Sequence, residues 1–149
     1  MDSYSSLKQV LETVGIATLK PRGISMYPYI RSSYTIVLRK LNSKPKKYQC
    51  VIFQRNDSEY ILHRVYKVDD EYFVTWGDNN LKPDQKVPLS GAIGYLEGFY
   101  KGKKYHKDKV TVFTKIGCFY PIRFIRIYFY RFYNKCWGCV KTISTFLCF

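Results

Sequence analysis

The fold class is decided by residues 59–76, which read EYILHRVYKVDDEYFVTW. Two runs of β-branched and aromatic residues flank Asp69-Asp70, and this arrangement predicts two strands joined by a tight hairpin. A short extended piece is predicted at 16–20 and further strands at 34–40, 49–55, 92–100 and 110–114, while 77–88 is predicted to be a long polar loop. The chain is therefore expected to be mainly β and antiparallel.

Helical periodicity occurs near both ends of the sequence. Apolar residues recur with i, i+3, i+4, i+7 spacing within residues 4–14, which predicts a short amphipathic helix that ends at Gly15. Near the other end, Pro121 suits a first helical turn, and residues 122–147 show strong helical amphipathicity. We expect a short N-terminal helix and a C-terminal amphipathic helix around the β-domain.

Positive charge is concentrated toward the C-terminus. The 149 residues contain 25 Lys plus Arg and 11 Asp plus Glu, for a net charge of +14. Residues 101–115 contain six Lys and one Asp, and residues 116–149 contain five basic residues and no acid. This distribution predicts a β-domain over 1–115 and a basic, aromatic tail over 116–149. Such a tail suits an anionic partner, either lipid headgroups or nucleic acid.

The predicted tail helix has one basic side and one apolar side. A helix of this kind lies in the plane of a bilayer, which predicts binding to an anionic membrane surface through residues 117–149. Packing of the helix on the protein's own sheet, with the basic residues in water, is the alternative. Nucleic acid is not favoured, because the sequence has no helix-turn-helix, zinc-finger or RNP-like motif. The basic side contains Arg123, Arg126, Arg131, Asn134 and Lys141, and the apolar side contains Ile125, Phe129, Phe132, Cys136, Cys139, Val140, Ile143 and Leu147.

No membrane-spanning or secretory segment is predicted. No run reaches 18 apolar residues, and residues 1–15 lack the apolar stretch of a signal peptide. We therefore expect a peripheral membrane protein, with the cytoplasmic face favoured.

Among the five Cys, Cys136 and Cys139 form a CxxC pair that no second pair accompanies, so neither a zinc site nor a redox pair is favoured. No metal or other cofactor is predicted, and the sequence indicates no oligomeric state.

Three short segments contain residues that could perform chemistry. The first, residues 23–28 (GISMYP), places Ser25 in a turn, where its hydroxyl could attack a carbonyl and its backbone N–H could face the oxyanion. The second is His63 within a strand, the one candidate imidazole base because the other histidine lies in the Lys-rich stretch. The third is residues 76–80 (WGDNN), followed by Asp84. Each segment alone has an ordinary structural explanation, as a turn serine, a core histidine or turn-forming loop residues.

Taken in order, the three segments resemble a known enzyme family. Gly-x-Ser-Met-x-Pro, then His-Arg-Val, then Gly-Asp-Asn-Asn with a later Asp is similar to signal peptidase I, of the S24/S26 serine peptidases. The resemblance covers roughly residues 16–100 and is strongest to the endoplasmic-reticulum and archaeal type, in which histidine replaces the lysine base. It extends to short bacterial members that lack an N-terminal membrane helix. The resemblance implies a signal-peptidase/LexA-like β-fold.

The resemblance also implies roles for individual residues. Ser25 would be the nucleophile and His63 the general base. Asp84 matches the acid that completes the site, and Asp78 would be a second, structural acid supporting the loop. Either carboxylate could stabilise the imidazolium that forms during the reaction.

Two further residues are expected at the substrate-binding cleft. Met26 would shape the cleft beside the nucleophile, and Gly23 would permit close backbone approach or a positive φ. The sequence also departs from the family pattern here. Gly23 has no side chain to serve as the oxyanion donor that some bacterial members carry, and Pro83 stands where the eukaryotic type has a second aspartate.

The expected function is that of a serine endopeptidase acting on signal or leader peptides. A histidine base predicts activity that falls as the pH drops through about 6–7. Two alternatives remain open: a catalytically inactive, membrane-binding module of the same fold, and a regulatory or self-cleaving peptidase like the LexA-type repressors.

Overall fold

The chain folds around one eight-stranded antiparallel sheet. The computed structural model describes residues 6–56, 59–111, 114–115, 121–130 and 132–133. The elements are α1 (Leu7–Thr13), β1 (Ile16–Leu19), β2 (Thr35–Lys40), β3 (Cys50–Asn56), β4 (Glu59–Val68), β5 (Tyr72–Trp76), β6 (Lys86–Pro88), a 3₁₀ turn (Leu89–Gly91), β7 (Ala92–Lys101), β8 (Lys104–Lys107) and α2 (121–130).

The strand order places β4 beside the two strands that supply hydrogen-bond donors to the carboxylate that its histidine contacts. The order across the sheet is β1-β2-β7-β3-β4-β5-β6. β8 pairs with the C-terminal part of β7. β4 therefore lies between β3 and β5, joined to β5 by the predicted hairpin at Asp69-Asp70. The predicted mainly β, antiparallel fold with a short helix near each end is confirmed.

The sheet has a buried core on each of its faces. Because side chains alternate along a strand, Cys50 and Ile52 of β3 enter one core while Val51 and Phe53 enter the other. The first core contains Leu11 of α1, whose side chain is fully buried. Burial of large apolar side chains on both faces is the main source of stability for such a sheet.

The N-terminal helix ends before Gly15, as its sequence predicts, and begins at Leu7, inside the predicted range of residues 4–14. The Ser6 side chain accepts a hydrogen bond from the Gln9 amide at 3.2 Å and so caps the first turn. The helix ends before Gly15, which has a φ of +82° and donates its N–H to the Leu11 carbonyl.

Two predicted segments differ from the structure. The strand predicted at 110–114 is wrong, because residues 108–111 have no regular structure and residues 114–115 are helical. The strand that pairs with β7 is β8, since Gly102, at a φ of +60°, allows a tight turn directly after β7. The predicted loop over 77–88 is wrong at its end, where β6 pairs with β5.

The C-terminal segment is helical where the structure describes it. Residues 121–130 and 132–133 are helical, and the rest of the predicted 122–147 helix lies outside the described residues. None of the helices in the described part of the chain has the length and hydropathy needed to cross a bilayer.

Candidate active site

Ser25 lies in the turn between β1 and β2, as the sequence predicts. Gly23 has a φ of +80°, a conformation that side-chain-bearing residues rarely adopt, and no atom lies close to its missing Cβ. The glycine is therefore required for the backbone shape rather than for space. The Ser25 carbonyl accepts a hydrogen bond from the Asn79 amide at 2.7 Å. This bond ties the serine turn to the loop that follows β5.

His63 lies in β4 opposite Val51 of β3, and its side chain is only 4% exposed. Its Nδ1 atom is 2.6 Å from Oδ2 of Asp84. A buried imidazole that contacts a carboxylate through one nitrogen is held in a fixed orientation, as in catalytic triads. Asp84 and His63 are thus brought together, as the sequence resemblance implies.

The Asp84 carboxylate is held by three different elements. Thr75 of β5 donates its hydroxyl to Oδ2 at 2.6 Å, and its carbonyl accepts the Asp84 amide at 2.8 Å. Arg55 of β3 donates to Oδ1 at 3.1 Å. Burial raises the Asp84 pKa, but the bonds from His63 and Thr75 and the charge of Arg55 outweigh burial, so the pKa lies below its ordinary 3.8.

The state of Asp84 decides the tautomer of His63. An ionised carboxylate can only accept hydrogen bonds, so the Nδ1 atom of His63 carries the proton that lies between the two groups. In the neutral imidazole, Nε2 then has a free lone pair. His63 is consequently arranged to accept a proton at Nε2.

Gly77 shows that Nε2 of His63 lies on the side of Ser25. A Cβ built on Gly77 would lie 2.9 Å from His63 Nε2, 2.9 Å from the Ser25 carbonyl oxygen and 2.8 Å from the side-chain nitrogen of Asn80. His63 Nε2 and the Ser25 carbonyl oxygen therefore cannot be farther apart than the sum of their distances to this Cβ position. Real Cβ atoms do not make such contacts, so residue 77 must be glycine for the serine turn and the imidazole to approach.

Asp78 performs a different task from Asp84. Its carboxylate accepts two hydrogen bonds from Arg64, at 3.1 and 2.9 Å, and lies 3.6 Å from the guanidinium of Arg123. Arg64 also donates to the Tyr48 carbonyl at 3.0 Å. The sequence left open whether Asp84 or Asp78 contacts His63. The structure places Asp84 in a hydrogen bond with His63, whereas Asp78 pairs with arginines and so holds its loop in place.

A cleft of about 720 Å³ leads to these residues. Ser25, His63 and Asn80 line it, together with Gly23 and Met26, the two residues expected there. Met26 is also buried in the first core, so its position is fixed by packing. Aliphatic and charged side chains also line the cleft: Leu7, Leu19, Ile30, Ile36, Ile52, Ile61 and Leu62, and Lys20, Arg22, Arg55 and Glu59.

Two arginines of the predicted basic side, Arg123 and Arg126, contact the protein. Arg123 is only 2% exposed, donates to the Gly77 carbonyl at 3.1 Å, and lies 4.2 Å from the Trp76 ring centre. Arg126 donates to the Asp78 carbonyl. The expectation that these arginines face solvent or headgroups is wrong, because the loop after β5 offers carbonyl and carboxylate oxygens that pair with them. Ile125 and Phe129, on the predicted apolar side, are each 70% exposed.

Sequence reasoning missed several residues that build the site. Thr75 and Arg55 were not singled out, Arg123 was assigned only to the basic side of the helix, and Gly77 was quoted only as part of a motif. Arg55 reaches Asp84 from a strand 29 residues away, and Thr75 from the strand before the Asp84 loop, and neither contact has a local sequence signal. The glycine directly before Asp78 was the one local signal, since a loop glycine often marks a close backbone approach.

The described residues offer no obvious metal site. Within the ranges that the structure covers, no group of three or more His, Cys, Asp or Glu side chains is close enough to hold an ion. Cys118, Cys136, Cys139 and Cys148 lie outside the described residues.

Comparisons of the chain with protein-family models, with curated proteins and with solved structures find no match.

Proposed function

We propose that this chain is a serine endopeptidase of signal-peptidase type, with Ser25 as nucleophile and His63 as general base. The observation that carries the proposal is the 2.6 Å contact between His63 Nδ1 and Asp84, with the opposite edge of the imidazole beside the Ser25 turn. A serine, a buried histidine and an ionised carboxylate in this order are the groups that acyl transfer needs.

The proposed reaction uses each of these groups in turn. His63 Nε2 takes the proton of the Ser25 hydroxyl as the oxygen attacks a peptide carbonyl. Asp84 stabilises the imidazolium, and the Ser25 N–H donates to the oxyanion. The imidazolium then gives its proton to the leaving amine, which breaks the peptide bond and leaves an acyl-enzyme. Water, deprotonated by His63, hydrolyses the acyl-enzyme and restores the serine.

The lining of the cleft supports a peptide substrate with an apolar segment. Seven aliphatic side chains line the cleft beside Ser25 and His63, together with four charged side chains. Signal and leader peptides contain apolar segments of this kind. We therefore propose such a peptide as the substrate.

The exposed side of α2 supports an anionic membrane as the surface on which the enzyme works. Apolar and aromatic residues of this helix, among them Tyr128 and Phe132, are more than half exposed. Apolar side chains on an interfacial helix insert at the boundary between headgroups and acyl chains, and the positive net charge adds attraction to anionic lipid.

A cleavage assay tests the proposal. A labelled peptide with an apolar segment is incubated with wild type, Ser25→Ala and His63→Ala. We expect each substitution to lower turnover by at least about 10⁴-fold, because the members of a triad act as a unit. Ser90→Ala, at an exposed serine in the 3₁₀ turn, is the matched control and should retain wild-type turnover. Full activity of Ser25→Ala or His63→Ala would exclude the mechanism.

A serine-directed fluorophosphonate probe separates this proposal from an inactive membrane-binding module. A module that has lost turnover would bind vesicles but would not react with the probe at Ser25.

A further inference from the structure

The loop that follows β5 contacts both proposed reacting residues on one side and the C-terminal helix on the other. We call residues 76–80 the Gly77 loop. Toward the cleft, its Asn79 amide donates to the Ser25 carbonyl at 2.7 Å, and Gly77 lies against Nε2 of His63. Toward α2, it receives the side chains of Arg123 and Arg126. The loop is therefore a direct connection between α2 and the site, in addition to the ring of Tyr130 of α2, which stacks on Tyr27 of the serine turn with ring centres 4.3 Å apart.

Arg123 is placed to hold this loop strongly. Its guanidinium reaches three successive loop residues, through the Trp76 ring, the Gly77 carbonyl and the Asp78 carboxylate. Charge-assisted hydrogen bonds and a cation–π contact in a buried place are stronger than the same contacts in water. Removal of the guanidinium would leave the buried Asp78 carboxylate with one fewer cation nearby, which lowers the stability of the loop.

The orientation of α2 adds a second function to this contact. Arg123 and Arg126 face the loop, while described apolar and aromatic residues of α2 such as Ile125 and Phe129 are exposed. A lipid surface that binds this exposed side favours the helical, docked state of α2. The docked state is the one in which the arginines reach the Gly77 loop.

We propose that Arg123 and Arg126 are positioning residues through which α2 holds the Gly77 loop against Ser25 and His63, so that a lipid surface bound by α2 raises the reactivity of Ser25. This inference rests on the proposed function for its effect on reactivity. The positioning of the loop itself does not depend on that function and can be measured separately.

Amide hydrogen exchange measures the positioning directly. The Asn79 amide is bonded to the Ser25 carbonyl, so its exchange rate reports how long the loop stays against the serine turn. We expect faster exchange at Asn79 in full-length Arg123→Gln and, to a smaller degree, in Arg126→Gln. Lys103→Gln, which removes an exposed charge from the β7–β8 turn, should leave this exchange unchanged.

Probe kinetics measure the effect on Ser25. With vesicles that contain anionic lipid, wild type should react with a fluorophosphonate faster than without vesicles. Arg123→Gln keeps its apolar helix side and should still bind the vesicles, but should react roughly 10- to 100-fold more slowly, as expected for a small misplacement of reacting groups. Arg123→Lys keeps the charge and should restore part of the rate and part of the vesicle effect.

The possible outcomes separate the two proposals. Wild type that fails to react with the probe in any condition contradicts the proposed function, while Asn79 exchange still decides the positioning. A folded Arg123→Gln with wild-type exchange at Asn79 overturns the positioning. If Arg123→Gln reacts with the fluorophosphonate at the wild-type rate and with the same response to vesicles, the proposal that lipid binding by α2 raises the reactivity of Ser25 is overturned. If Arg123→Gln does not fold, Arg126→Gln, whose residue is less buried, provides the same readings.

Discussion

At the scale of single residues, Asp84 has the greatest influence on the proposed chemistry. Its carboxylate is fixed by Thr75 and Arg55, and it in turn fixes the proton of His63 on Nδ1. A base must present an unprotonated nitrogen to its substrate, so the orientation of the imidazole depends on this one carboxylate.

Asp84→Asn should keep the shape of the site and remove its function. An amide can donate to Nδ1, which favours the wrong tautomer, and it cannot stabilise an imidazolium. We expect turnover to fall by about 10³- to 10⁴-fold, as measured by peptide cleavage or probe kinetics. Asp70→Asn, at an exposed hairpin acid, is the matched control. Wild-type turnover in Asp84→Asn would show that this carboxylate has no part in the reaction.

Gly77→Ala should damage the site more than its stability cost alone predicts. The new methyl group would collide with the Ser25 carbonyl and with His63, and backbone cannot move away cheaply. We expect loss of probe reaction at Ser25. Gly102→Ala is the control: its φ of +60° makes alanine strained by roughly 1 kcal/mol, far from the cleft. Equal probe rates in the two variants would show that the close approach at Gly77 does not matter.

The sequence was most informative about residues within short motifs. Ser25 was expected in a turn, Gly23 at a close approach or a positive φ, and His63 beside Asp84 or Asp78, because each belongs to a segment with a recognisable order of residues. Residues that reach the site across the sheet or from α2 were not expected, because their positions depend on strand pairing and helix docking.

At the scale of elements, α2 is the part whose environment differs most from expectation. Its helical character and its amphipathic pattern follow from local sequence. Which side faces the protein does not follow from that pattern. The site loop presents the Asp78 carboxylate and backbone carbonyls, so Arg123 and Arg126 dock there, while Ile125 and Phe129 are exposed.

Removal of apolar groups from α2 should weaken membrane binding. Burial of a phenylalanine or isoleucine side chain contributes roughly 1.5–3 kcal/mol, so Ile125→Ser and Phe129→Ser should each lower the affinity for anionic vesicles by about 10- to 100-fold. Vesicle sedimentation measures this affinity. Val14→Ser, at an exposed residue after α1, should bind as wild type does. Unchanged binding in an Ile125/Phe129 double variant would contradict an interfacial function for this side.

The strands show where local patterns succeed and where they fail. Runs of β-formers bounded by turn residues predicted β2–β5 and β7 to within one or two residues. β8 was misplaced because its Lys-rich sequence is a poor strand signal, and the tight turn at Gly102 decides the pairing instead. β6 was missed because three residues are too few to show alternation.

At the scale of the whole molecule, the site is built by residues from three neighbouring strands of the sheet and from the segments that connect strands. β3, β4 and β5 supply Arg55, His63 and Thr75, and the turn and loop beyond the strands supply Ser25 and Asp84. Global stability and the geometry of the site are therefore coupled, and acid should affect both.

The stability of the whole chain should fall in acid in a way that depends on Asp84. Its pKa is lower in the folded chain than in the unfolded chain, so ionised Asp84 contributes stability above about pH 4, and this contribution is lost as the pH falls through the folded pKa. Burial raises the pKa of Asp108, whose contribution has the opposite sign. Thermal unfolding at pH 7 and pH 3 should show a smaller Tm loss in Asp84→Asn than in wild type. An equal loss would contradict the assignment.

The most direct test of the central claim is to map, by mass spectrometry, where a fluorophosphonate reacts with the full-length chain. We expect a single phosphonyl adduct on Ser25 in wild type and a large drop in its rate of formation in folded His63→Ala. An adduct that forms on Ser25 equally fast without the imidazole, or no adduct on Ser25 in wild type, would exclude a Ser25–His63 mechanism.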